Sequence, residues 1–250
     1  MIRLSFLLIL VLVSGCAHTP DQEAALPPQE VESRLDLAEM YLVEAEPRMA
    51  LEQLKMVQGE AADDPMLYFF LGVAYELLSD HEKSVQAYEQ AVALDPDFGD
   101  AWNNLGQVRQ VVGEFEKARQ AFKRALGLED YMTPEFAAYN MADLLAEQGE
   151  YDQALVYSTL GLEKNRRYIP LYPQKAFLLR KTGRHEQALD VLRLGVDARP
   201  DSSYLKLMLA EELVRHGLER EAKSLFARLI EQDPESDEAE KAVHYLEVLR

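Results

Sequence analysis

From Val31 onward the small and apolar residues recur every 34 positions, counted from Val31, Pro65, Gly99, Glu135, Ile169 and Ser203. The one break in register is a two-residue insertion, Thr133-Pro134. Position 8 of the period is Ala38, Gly72, Gly106, Ala142, Ala176 and Ala210, and position 20 is Ala50, Ser84, Ala118, Ala154, Ala188 and Ala222. All are small. Two helices that cross closely need small residues where their backbones approach and larger ones around them to fill the gaps. The larger set stands at position 7 (Leu37, Leu71, Leu105, Met141, Leu209) and position 24 (Leu54, Tyr88, Phe122, Leu192, Phe226). Lys175 and Ser158 interrupt these two series. Gly113, Gly149, Gly183 and Gly217 fall at position 15, where glycine permits the left-handed cap that ends a first helix. Pro96, Pro200 and Pro234 follow a second helix. A period of this length predicts one helical hairpin per repeat, with neighbours stacking to bury a continuous core.

The register divides the body into repeats at 31–64, 65–98, 99–132, 135–168, 169–202 and 203–236. Beyond them, Ala239, Ala242, Val243, Leu246 and Leu249 mark one face of a final helix over 237–250, read as a solvating cap on the stack. The pattern resembles the tetratricopeptide repeat. It is clearest at Tyr68, Leu71, Gly72, Tyr75, Ser84, Tyr88, Ala91 and Pro96, and again at Trp102, Leu105, Gly106, Ala118, Phe122 and Ala125. Departures are Arg109, Ser158 and Lys175 at usually apolar positions, and Ala62, Asp130 and Arg166 where a closing proline is expected. The resemblance implies an all-α fold: a right-handed superhelical solenoid of six tetratricopeptide hairpins with a C-terminal capping helix.

The first residues read differently. Met1, Ile2 and Arg3 form a short positive stretch, and Leu4 to Val13 is apolar except for Ser5. That run is too short for a stable membrane span but fits an export signal over 1–15. It ends in Val13-Ser14-Gly15-Cys16, which resembles the lipobox of bacterial lipoproteins; the competing reading is an ordinary signal with an incidental cysteine. Cys16 is the chain's only cysteine. Its expected modification is covalent lipid, and several acyl chains anchor a protein stably where one does not. By the same resemblance, Ala17 after the cysteine favours the periplasmic face of the outer membrane. Residues 16–30 hold three prolines and no periodicity, and read as a flexible tether spanning on the order of 20 Å.

Composition removes some function classes. The chain of 250 residues carries a formal net charge of −18, which repels phosphate backbones and argues against nucleic acid as a partner. No phosphate-binding glycine loop, nucleophile elbow or metal-spaced histidine pair is present. His81 and His185 share position 17 with Phe115 and Tyr151 and read as packing residues. Neither a cofactor beyond the lipid nor a metal is expected, and the reading is of a binding protein rather than an enzyme.

In tetratricopeptide arrays positions 2, 5, 9 and 12 of each first helix line the concave face. Here the resemblance gives a candidate partner-binding groove of Met66, Phe69, Val73, Asn103, Gln107, Phe136, Tyr139, Phe177, Arg180, Tyr204 and Leu207, some of which are expected to pack against neighbouring helices instead. So apolar a concavity suits a protein partner. A clamp for a peptide's C-terminal carboxylate is argued against: Asn104 and Asn140 stand at position 6, but Phe69, Val73 and Phe136 occupy the places of its cationic or polar groups. A basic patch at Lys164, Arg166 and Arg167, with Arg180, Lys181 and Arg184 near in sequence, reads either as a solvated surface or as a feature that steers an acidic partner.

Lipobox, tether and six repeats together resemble the outer-membrane lipoproteins of type IV pilus biogenesis, the PilF/PilW/Tgl group. The segment Tyr131-Met132-Thr133-Pro134-Glu135, leading to Asn140, is also similar to that group. The resemblance implies a pilotin, a scaffold that helps the secretin pore reach the outer membrane and assemble, with a secretin subunit or other envelope assembly protein as partner. The alternative is a general envelope adaptor for outer-membrane protein assembly, polysaccharide export or a cell-wall enzyme.

Overall fold

The computed structural model describes residues 26–249. Helices α1 (Pro28–Val43) and α2 (Pro47–Val57) form the first hairpin, and α3 (Pro65–Leu77) and α4 (His81–Leu94) the second. The third and fourth are α5 (Gly99–Val111) with α6 (Phe115–Leu126) and α7 (Pro134–Glu147) with α8 (Tyr151–Lys164). Then come α9 (Leu171–Lys181) with α10 (His185–Ala198), α11 (Ser203–Arg215) with α12 (Glu219–Gln232), and a last helix α13 (Asp237–Val248). All regular structure among the described residues is helical. Each helix packs on the next in order, and first helices also touch one another from hairpin to hairpin, as α5 does α7 and α7 does α9. The result is a solenoid of stacked hairpins.

The hairpin turn is built the same way six times. The second helix opens on position 17 in every repeat, at Pro47, His81, Phe115, Tyr151, His185 and Glu219. Just before it, the N–H of position 16 donates back to the carbonyl of position 11, from Glu46 to Tyr41 (2.8 Å), Asp80 to Tyr75 (2.9 Å), and likewise down to Leu218 and Leu213 (2.9 Å). This bond satisfies a carbonyl that the helix end leaves without a partner, and it requires a left-handed residue at position 15. Gly113, Gly149, Gly183 and Gly217 supply it with φ from +71° to +80°. The first two repeats make the same turn without glycine, using Ala45 (φ 58°) and Ser79 (φ 59°).

Inside each hairpin the small position 8 meets the large position 24. A Cβ on Gly72 would lie 2.5 Å from Cε1 of Tyr88, and one on Gly106 would lie 2.5 Å from Cε1 of Phe122, so the rings occupy the space that any side chain there would need. Position 20 closes the contact: Ser84 Oγ donates to the carbonyl of Gly72 at 2.9 Å. Where the ring is missing, at Ser158, a hydrogen-bonded bridge replaces it. Ser158 Oγ donates to Gln174 Oε1 (2.7 Å), and Gln174 Nε2 donates to the carbonyl of Tyr139 (3.0 Å). Arg109, another departure, pairs with Glu89 on α4.

The missing prolines are replaced locally as well. Ahead of α7, Tyr131 turns inward against Trp102, Ala125 and Ala137, and its ring fills the space beside Gly99. The inserted Thr133-Pro134 gives the chain the length to do this before Pro134 opens α7, where its lack of an N–H costs nothing. Around Arg166, Asn165 Nδ2 donates to the buried Glu135 (2.6 Å) and the Tyr172 hydroxyl donates to the carbonyl of Arg166 (2.7 Å).

Three expectations need correction. The tether does not extend to residue 30: α1 begins at Pro28, and Leu26 already packs on the first hairpin while its N–H donates to Glu60. Proline suits a first turn, so Pro28 starts the helix. The rest of the expected tether up to residue 25, the signal segment and Cys16 lie outside the described residues. On α13, Ala239 and Ala242 are buried and Leu246 and Leu249 pack on the core, but Val243 is exposed. Tyr245 takes the inward place and stacks flat on Phe226, centroids 4.9 Å apart. His185 is exposed rather than packed.

The shared turn makes a direct prediction. Ser79→Gly should stabilise the fold and Gly113→Ala should destabilise it, each by about 1 kcal/mol, since only the left-handed backbone differs. Opposite shifts of the urea midpoint are expected; unmoved midpoints would show that the turn is not strained by side chains.

Candidate functional site: the concave groove

First helices α3, α5, α7, α9 and α11 bring the candidate groove residues to one face, in three kinds of environment. Met66, Phe136, Phe177 and Tyr204 are exposed, with 37–42% of their surface open. Val73, Gln107 and Tyr139 are half-buried. The remaining four are engaged in the structure itself. Leu207 is 1% exposed and is a core residue, because α11 turns its position 5 toward the neighbouring helices. Asn103 is buried as a bridge between helices, Phe69 is half-buried and packed against the core, and Arg180 is held in an ion pair.

Phe69 packs on Phe98 (centroids 4.8 Å), Tyr88 (5.9 Å) and Phe70 (5.9 Å). Two repeats along, Tyr139 packs edge-on to Tyr168 at 6.0 Å, and Phe136 meets the same ring at 4.9 Å. Phe98 and Tyr168 both stand at position 34, in the linker that enters the next hairpin, while Phe69 and Tyr139 both stand at position 5. The aromatic floor of the groove is therefore a pairing of positions 5 and 34, made twice. Sequence reading passed over Phe98 and Tyr168 because it confined the concave face to the first helices; their shared register was the available signal.

Between those aromatic pairs runs a polar chain. The Tyr88 hydroxyl donates to Glu76 (3.0 Å), Asn104 Nδ2 to the Tyr88 oxygen (3.3 Å), Asn103 Nδ2 to Asn104 Oδ1 (3.2 Å), and Asn140 Nδ2 to Asn103 Oδ1 (2.8 Å). It ties the second, third and fourth hairpins together and occupies the asparagine amides that a peptide clamp would need. Beside it, Gln110 Nε2 sits between Asp143 (3.3 Å) and Glu147 (3.0 Å). Burial raises the Asp143 carboxyl above its ordinary range, opposed by the Gln110 bond and aided by the charge of Glu147. Burial likewise raises Glu76 and, with the help of Asp143, the Tyr139 hydroxyl.

Arg180 reaches Glu212 at 2.9 Å. Glu212 is fully buried and also meets Arg215 (3.1 Å) and the His216 ring (3.7 Å). A buried carboxylate needs such partners to offset its lost hydration, so Arg180 is committed to joining α9 to α11. The groove that results is aromatic and carboxylate-rich, suited to stacking and apolar contact with an extended or helical segment. Among the described residues no cluster of His, Cys, Asp and Glu could hold a metal ion, and no helix is long and apolar enough to cross a membrane. A second set of exposed apolar residues stands at positions 13 and 14 of the first three repeats, at Val43, Leu77, Leu78, Val111 and Val112.

Two stretches of the chain match tetratricopeptide families, residues 77–110 as "TPR repeat" and residues 103–160 as "Tetratricopeptide repeat". With the stacked hairpins, these matches give a solenoid like that of tetratricopeptide-repeat proteins, an architecture that serves as a scaffold for protein interactions. Its fold resembles that of PilW, described as a widely conserved type IV pilus biogenesis factor, with a TM-score of 0.70 at 19% identity over 87% of this chain and 100% of that one. PilF of Pseudomonas aeruginosa is similar at a TM-score of 0.69 and 18% identity, covering 85% of this chain and 96% of that one. A TPR repeat-containing protein of Pseudomonas aeruginosa is 32% identical over 66 residues, which are 26% of this chain. The chain spans 63% of the length of that relative.

The first of two predictions separates packed from exposed groove residues. Phe69→Glu should cost about 2–4 kcal/mol by placing a charge among packed rings, whereas Phe136→Glu should cost about 1 kcal/mol or less; equal losses in thermal melts would contradict this partition. The second concerns pH. A carboxyl held above its unfolded value of 3.8 penalises the native state wherever it is ionised, and the penalty fades as pH falls through the raised value. Asp143→Asn should therefore raise the melting temperature near neutral pH, with the gain shrinking as pH falls and gone below about pH 3.

Proposed function

We propose that this protein is a pilotin-like scaffold, tethered by lipid on Cys16 to the periplasmic face of the outer membrane, whose groove binds a subunit of the type IV pilus secretin during its assembly or localisation. The observation that carries this reading is the fold likeness to PilW, which extends over the whole of that chain. The lipobox-like Val13-Ser14-Gly15-Cys16 supports the anchoring. The protein acts by binding, without catalysis and without a cofactor other than the lipid. The exposed side chains Met66, Phe136, Phe177 and Tyr204 offer the apolar contact that such binding uses.

The test is genetic and biochemical. Deleting the gene should leave the secretin monomeric or mislocalised and abolish surface pili, and a Cys16→Ser chain should fail to restore either. Normal secretin multimers in the deletion strain would overturn the proposal, and a different envelope protein captured by crosslinking in cells would reassign the groove.

A further inference from the structure

The position 7 series is broken once. Leu37, Leu71, Leu105, Met141 and Leu209 fill that place in five repeats, and Lys175 stands there in the fifth. The side chain is half-buried. Among the described residues it makes no hydrogen bond or ion pair. Burial pulls its ammonium below the usual lysine range, and the charge of Glu163 opposes this from beyond pairing distance. A cation half withdrawn from water and without a partner carries a partial desolvation cost. Leucine, used by four of the other five repeats, would avoid it.

Lys175 lines a cavity of about 530 Å³ formed by residues of α8, α9, α10 and the α8–α9 linker. Leu162, Leu194 and Tyr172 give it an apolar wall, and Arg166 and Arg167 join Lys175 on it. Glu163 and Asp197 are the carboxylates there, so cations outnumber them in one pocket of a chain whose net charge is −18. The arginines are carried by a fixed backbone. The Tyr172 hydroxyl donates to the carbonyl of Arg166 (2.7 Å), Arg199 Nη1 donates to that of Arg167 (3.3 Å), and the Arg167 N–H donates to Asn165 (2.9 Å). Arg166 also replaces the proline expected at the end of the fourth repeat, so two breaks in the repeat pattern meet in this pocket.

We infer that this pocket is a binding site for the oxyanion head of a small amphiphile, a carboxylate or phosphate on a short apolar stem. Lys175 and the two arginines face the anion, and Leu162, Leu194 and Tyr172 receive the stem. Charge-assisted hydrogen bonds from lysine and arginine suit such oxygens. The site is separate from the concave groove and does not depend on what the groove binds.

The experiment titrates the full chain carrying Cys16→Ser, so that no acyl group competes, with octanoate, octyl phosphate, inorganic phosphate and uncharged octanol, following amide shifts by NMR. Saturable shifts centred on residues 162–175 are expected with octanoate or octyl phosphate. Saturation by inorganic phosphate with equal affinity would support the anion site and assign it to a free anion. Lys175→Leu, which restores the repeat residue, should weaken binding by about tenfold or more while raising the melting temperature. Arg166→Ala with Arg167→Ala should weaken it without lowering the melting temperature, because neither side chain is buried. Octanol binding as tightly as the anions, affinity unchanged in Lys175→Leu, or no saturable shift with any probe would each overturn the inference.

Discussion

The close approach of the two helices in each hairpin is the constraint on which the rest depends. Gly72 lies against the Tyr88 ring and Gly106 against the Phe122 ring with no room for a Cβ. That distance sets the angle at which the second helix leaves the turn, and so the face that the first helix turns to its neighbours. Tyr88 shows the linkage in one side chain. Its ring fills the gap beside Gly72, and its hydroxyl joins Glu76 to Asn104 on the next hairpin. The contact within one repeat and the contact between repeats thus share an atom group, which is how a local pairing propagates along the solenoid.

The repeat register was legible because the physics that sets it is local. A small residue at the crossing, a large one opposite and a left-handed turn recur at fixed spacing, and the second helices open at position 17 throughout. What the register could not carry were the places where one repeat compensates for itself. Ser158 lacks the ring and recruits Gln174 from the following helix; Asp130 and its neighbours lack the proline and use Tyr131 instead. Ala45 and Ser79 adopt the glycine conformation without being glycine, because the hydrogen bond across the turn holds them there.

The groove was less legible than the fold, and the reason is geometric. Position number fixes which way a side chain leaves its helix, but not whether the adjacent hairpin reaches it. Phe136 and Phe69 are both groove positions by spacing, yet Phe69 is half-buried among three rings while Phe136 meets one ring and stays exposed. Asn103 and Arg180 are groove positions by spacing as well, and each bonds across to another first helix, Asn140 on α7 and Glu212 on α11. In a solenoid the concave face is also the seam between repeats, so its polar residues join hairpins as readily as they meet a ligand. The surface left for a partner is narrower than the spacing implied, and it centres on Met66, Phe136, Phe177 and Tyr204.

The most direct measurement of the central claim places a photo-crosslinking amino acid in living cells at Phe136, in the groove, and separately at Val156, exposed on α8. A crosslink to the secretin is expected from position 136 and none from position 156. Crosslinking from 156 alone, or from neither position in piliated cells, would contradict the claim.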